Sequence, residues 1–194
     1  MSGGLVYFRD GELLGESGEA RVYKMNGELY LEIGSGHTLW AYEGEIVDYR
    51  NQLQDFPTGN CLEIGLGLGV ISRYLQTFPK VKDVTTIEIN KDVIDVHSKI
   101  KESDRGVVLN YSPERHRILH SDGISYAYQT KRKYDFIFID CYDHIDEDTL
   151  PLIADVVQAC SRVVRPGGKI LGWMDKYTSE PYYSVFCQIF NNWG

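Results

Sequence analysis

Basic charge is in short supply in this 194-residue chain: 20 lysines and arginines stand against 28 aspartates and glutamates, for a formal net charge of −8. A phosphate backbone draws most of its affinity for proteins from cations that displace counterions, so the deficit argues against nucleic acid as a partner. Cysteine is sparse as well. Cys61, Cys141, Cys160 and Cys187 stand far apart, with no paired spacing for zinc, a redox dithiol or a disulfide framework, and read as reduced thiols in a cytoplasmic setting. His144 has no second histidine nearby at ligand spacing, so no metal is expected. No apolar run approaches the roughly 20 residues that span a bilayer, and no basic-then-apolar leader opens the sequence, so no membrane partner is expected either. Internal repeats, low-complexity tracts and obvious linkers are missing too. What remains is a single acidic globular unit suited to a neutral or cationic small-molecule substrate.

The first third carries antiparallel β signals. Ala20 to Met25 and Glu28 to Ile33 are strand-like runs joined by Asn26-Gly27, a dipeptide suited to the positive φ values of a two-residue hairpin. Leu5 to Phe8 and Thr38 to Ala41 are expected as companion strands. Tyr42, Ile46, Tyr49 and Leu53 then recur at helical spacing. Residues 1–56 are therefore expected to form a small β region with a linking helix, and residues 57–194 the main domain.

From Asn60 onward, short apolar strands alternate with helices. Strands are predicted at Cys61 to Ile64, Val84 to Ile89, Arg117 to His120, Tyr134 to Ile139 and Lys169 to Trp173. Helices are predicted at Val70 to Phe78, Asp92 to Lys101, Ile124 to Gln129 and Leu150 to Val164. Strands apolar on both faces and separated by helices imply an α/β fold with a parallel, Rossmann-like sheet covered on both sides. Such a sheet places its ligand beyond the carboxyl ends of the strands.

Those ends carry the chemistry. The first reads Glu63-Ile64-Gly65-Leu66-Gly67-Leu68-Gly69, where glycines let the chain turn out of a strand while the next helix points its N-terminus at the same place. Glu88, followed by Ile89, ends the next strand and is placed to accept ribose hydroxyls. Asp122-Gly123 offers a carboxylate to an adenine amine. Asp140 and Asp143 follow the fourth strand. Each has a plainer alternative: a tight turn for the glycines, helix capping for Glu88 and Asp122, and a solvated acidic loop for Asp143 through Asp148.

The run from Asn60 to Trp173, with these motifs in order, resembles the class I S-adenosylmethionine-dependent transferases, and within them the spermidine synthase group. The resemblance implies a sulfonium donor, S-adenosylmethionine or its decarboxylated form. It also implies a donor site at Glu63, Gly65, Gly67, Leu68, Gly69, Glu88, Ile89, Asp122, Gly123 and Asp140, with Asp140 and Asp143 as catalytic residues. Asp140-Cys141-Tyr142-Asp143 matches the group's paired aspartates, which hold a cationic amine and take its proton. Two departures stand out. The group's loop reads Gly-Gly-Gly-Asp-Gly, whereas Leu68 here takes the place of the Asp, removing a charge that would repel the carboxylate of intact S-adenosylmethionine. The group's Tyr-His-Glu is missing, with Val47-Asp48-Tyr49 and Arg50 in its vicinity. The expectation is therefore a methyltransferase of spermidine-synthase-like architecture, with aminopropyl transfer second and a non-catalytic adenosyl-binding module third. The sequence given stops soon after Phe190, before the strand hairpin that completes the group's sheet, so an exposed edge and a homodimer are expected.

Overall fold

A computed structural model describes residues 11–34, the backbone of 37–41, and residues 49–50, 52–105, 111–174 and 178–191. The chain begins with four strands, β1 (Glu12–Ser17), β2 (Ala20–Met25), β3 (Glu28–Ile33) and β4 (His37–Ala41), in an antiparallel sheet of that order. The β2–β3 hairpin forms where Asn26-Gly27 predicts it, with φ of 54° and 86° at the two turn residues. β1 was not expected, and the strand expected at residues 5–8 lies outside the described residues. Of the expected linking helix, Tyr49, Arg50, Gln52 and Leu53 are helical, while Tyr42 and Ile46 lie outside the described residues.

The main sheet contains β5 (Gly59–Ile64), β6 (Val81–Glu88), β7 (His116–His120), β8 (Tyr134–Ile139) and β9 (Val164–Gly172), all parallel, in the order β7-β6-β5-β8-β9. Helices α1 (Val70–Leu75), α2 (Lys91–Lys99), α3 (Gly123–Gln129) and α4 (Leu150–Ser161) follow the first four of these strands. The last helix, α5 (Tyr182–Asn191), was not expected. β9 begins earlier than predicted because Val164 pairs with Tyr134 ahead of a break in register, and regular pairing resumes at Lys169.

The central strands are apolar on both faces because helices cover both. Tyr134 and the run Phe136 to Ile139 are fully buried. Burying each such side chain contributes about 1.5–3 kcal/mol before the entropy cost of ordering it. One hydrophobic cluster lies between the sheet and α4, and a second between the sheet and α1 with Tyr49 and Leu53. The third joins the two sheets: Ala20, Val22, Leu29 and Leu31 pack on Val93, Val96 and Ile100 of the α2 region and on Leu66 of the glycine loop. This seam fixes the small sheet against one side of the loop. Among the described residues, no helix is long and apolar enough to cross a membrane.

Candidate active site

In the order β7-β6-β5-β8-β9 the chain reverses direction between β5 and β8, so the loops leaving these two strands part and open a crevice. A cavity of about 600 Å³ occupies that place. Its walls include Glu63, Gly65, Gly67, Leu68, Glu88, Ile89, Asp122, Gly123, Asp140 and Asp143. Gly69 is the exception among the expected site residues. It is the N-cap of α1, with its Cα side turned to the imidazole of His97, and does not line the cavity.

The glycine loop can pass here because Gly65, at φ 96°, has no side chain. A Cβ at this position would meet the Asp140 carbonyl oxygen at 2.0 Å. The first residues beyond β5 and β8 thus lie backbone to backbone before the loops diverge, and main-chain bonds extend the ladder beyond the strands: Gly65 N–H donates to Ile87 O at 2.9 Å and Asp140 N–H to Ile64 O at 2.8 Å.

Glu88 is 8% exposed, and its carboxylate clamps the loop. Oε2 accepts from Leu66 N–H at 2.9 Å and Oε1 from Asn90 N–H at 2.8 Å. Each oxygen keeps a second lone pair for a ribose hydroxyl. The helix-capping alternative does not hold for Glu88, since Asn90 is the N-cap of α2 and accepts from Asp92 N–H. It does hold for Asp122, whose Oδ1 caps α3 through Ser125 N–H at 2.7 Å while the residue lines the cavity. Ile89, 66% exposed, and Leu152, 45% exposed, are apolar residues among the lining. They suit the flat faces of a purine.

Glu63 forms part of the cavity wall yet is 1% exposed, with both oxygens engaged: Oε1 accepts from Ser72 N–H at 3.1 Å and Oε2 from Thr86 Oγ1 at 2.5 Å. Burial pushes its pKa well above the usual carboxyl range. The side chain ties α1 to β6, so its place in the site is that of a support.

Asp140 also lines the cavity and is half-buried. Burial raises its pKa to about 7, against the Tyr49 hydroxyl that donates to Oδ2 at 3.2 Å, with the charge of Asp143 adding to the rise. A carboxyl so placed is half ionised near neutrality, the condition in which it can take a proton from a reacting group and release it again. Sequence reasoning missed Tyr49 as a functional residue, and also Tyr142 and Trp173, which line the same end of the cavity. Leu68 has a packing partner as well as a place in the wall: it lies with Ile33 against the cluster that joins the two sheets.

Residues 52–188 match the family described as the spermine/spermidine synthase domain. The chain belongs to that family. It is 31% identical over 110 residues to a polyamine aminopropyltransferase from Prochlorococcus marinus, covering 56% of this chain and 38% of that one. It is 27% identical over 108 residues to the polyamine aminopropyltransferase of Escherichia coli, covering 55% and 36%. The aligned stretches thus span less than half the length of these relatives. Spermidine synthase from Thermotoga maritima superposes with a TM-score of 0.67 at 16% identity, over 94% of this chain and 63% of that one. The α/β fold with its antiparallel N-terminal sheet is therefore a spermidine-synthase fold.

Proposed function

We propose that this domain transfers an aminopropyl group from decarboxylated S-adenosylmethionine to the amino group of a small aliphatic amine. The observation that carries the reading is the pairing of a half-buried Asp140, its pKa raised to about 7, with Asp143 in the wall of a cavity that also holds a Glu88-clamped glycine loop. Family membership supports the same reading, as does the fold shared with a spermidine synthase in complex with the transition-state analogue AdoDATO, matched at a TM-score of 0.67.

In this scheme the adenosine lies over the loop, its ribose hydroxyls on Glu88 and its base between Ile89 and the Asp122-Gly123 turn. The acceptor arrives as an ammonium with no lone pair; Asp140 takes its proton, and the freed nitrogen attacks the methylene carbon bound to the sulfonium. The carbon–sulfur bond breaks, its electron pair neutralises the sulfur, and methylthioadenosine leaves. The product is a secondary ammonium, and Asp140 returns its proton to solvent, while Asp143 holds the acceptor by charge. Excluding water strengthens both electrostatic contacts.

This reverses the order expected from sequence, which set methyl transfer first because Leu68 lacks the family's charge. That substitution has a second physical reason: Leu68 completes an apolar seam with Ile33 and Leu66 against the small sheet, a packing role that says nothing of a donor carboxylate. Methyl transfer from intact S-adenosylmethionine is kept as the second reading, on the absence of a carboxylate at position 68 alone. Calorimetric titration with decarboxylated S-adenosylmethionine, S-adenosylmethionine and methylthioadenosine separates the two. Tighter binding of the decarboxylated donor supports aminopropyl transfer, and the reverse ranking supports methyl transfer.

A further inference from the structure

We propose that Trp173 selects the acceptor, its indole forming a rigid wall that receives the ammonium and methylenes of a short alkyl diamine beside Asp140. The proposal deepens the aminopropyl-transfer reading and rests on it.

Trp173 is the first residue after β9, and both of its main-chain groups are tied to the neighbours of Asp140. Its N–H donates to Ile139 O at 2.9 Å, and its carbonyl accepts from Tyr142 Oη at 2.6 Å. The next carbonyl, that of Met174, accepts from Gln52 Nε2 at 3.4 Å, on the helical turn that bears Tyr49. The backbone at Trp173 is thereby tied to the strand and loop that carry Asp140 and, through Met174, to the turn that carries Tyr49. The indole packs against the hydrophobic clusters on both sides of the sheet, lies 6.3 Å from the Tyr142 ring between centroids, and lines the cavity together with Asp140, Tyr142 and Asp143.

Carboxylates alone attract any cation, whatever chain it carries. An indole packed in this wall adds two things: a π face that attracts an ammonium, and an apolar surface against which methylenes pack. The packing on both clusters and the bonded backbone are what turn attraction into selection, because an acceptor longer than the wall allows must displace a residue tied through both of its main-chain groups. Asp140 and Asp143 then supply charge and proton transfer, and Trp173 sets the length.

The test uses the full chain saturated with methylthioadenosine and titrated with diaminopropane, diaminobutane, diaminopentane and butylamine, followed by calorimetry and by tryptophan emission. For Trp173→Ala the expected result is diamine affinity weaker by roughly fivefold to thirtyfold. The ranking among chain lengths should flatten, and methylthioadenosine affinity should hold. Trp173→Phe keeps an aromatic face but shortens the wall, so preference should move to the longer diamines, which keeps the proposal testable if the Ala variant does not fold. Wild-type ranking and affinity in a folded variant would overturn the assignment of Trp173 alone. Failure of the wild-type, nucleoside-loaded protein to bind any of the amines would overturn the assignment and the aminopropyl reading together.

Discussion

The hydroxyl of Tyr49 donates to Oδ2 of Asp140 at 3.2 Å, joining two residues 91 positions apart in the wall of the cavity. Three effects meet on Asp140: desolvation and the charge of Asp143 favour the neutral acid, the phenol favours the carboxylate, and the first two prevail, leaving the group at about 7.

That balance predicts how activity and stability vary with pH. The base is the ionised form, so turnover should rise through about 7 and level off above it. Asp140→Asn should lower turnover by about 10²–10⁴-fold and remove this inflection, with donor affinity little changed. Stability should move the other way. A carboxyl whose folded pKa lies above its unfolded one adds stability that is complete below the ordinary carboxyl range and is lost as pH rises through about 7. Thermal unfolding of the ligand-free protein across that window, compared with Asp140→Asn, should show the variant losing less.

Tyr49→Phe removes the contact that, among the described residues, opposes the rise on Asp140. The pKa should climb further, and the turnover profile should shift to higher pH while donor binding stays as it was. Steady-state rates across a pH series test this. An unmoved inflection would mean that the phenol does not act on the base.

Glu88→Gln offers a sharp test of the donor side. An amide can replace only one of the two acceptor oxygens, so its NH₂ group would face either Leu66 N–H or Asn90 N–H. The expected loss in methylthioadenosine affinity is about 1.5–3 kcal/mol. Stability should fall by about 1–3 kcal/mol from the unsatisfied donor. Calorimetry and denaturant unfolding measure the two separately.

Leu68→Asp should carry two signatures. It puts a carboxylate at the apolar seam with Ile33, so stability should fall by about 1–3 kcal/mol. It should also shift donor preference further toward the decarboxylated form, whose tail carries an ammonium and no carboxylate. Donor titrations of the folded variant read the second effect, and an unchanged ranking would leave Leu68 with its packing role only.

Much of this architecture was legible because the signals are local. β8 spans Tyr134–Ile139 as its apolar run, broken only by Asp135, predicts, and the Asn26-Gly27 hairpin follows from turn chemistry. Glu88 and Asp140 were singled out because they stand at strand ends of a parallel sheet, and both line the cavity there. What escaped was set by tertiary packing or by misleading local chemistry. Pro166, Gly167 and Gly168 fall between the predicted helix and the strand predicted from Lys169, yet β9 includes them, with an irregularity in register. α5 carries apolar residues at Tyr182, Phe186, Ile189 and Phe190, a helical period that was present but unread. Tyr49 bonds Asp140 from the helical turn before β5, and Trp173 lines the same cavity just after β9; no spacing in the sequence brings either to Asp140. Leu68 was read from its missing charge alone, and its packing against the cluster that joins the two sheets had no local signal.

The central claim is that an aminopropyl group is what moves, and the mass of the product tests it most directly. The protein is incubated with diaminobutane and an equal mixture of S-adenosylmethionine and its decarboxylated form, and the amine is recovered for mass spectrometry. The account predicts an amine heavier by one aminopropyl unit, methylthioadenosine released in equal amount, and loss of both in Asp140→Asn. An amine heavier by a methyl group, with S-adenosylhomocysteine as the nucleoside product, would contradict it.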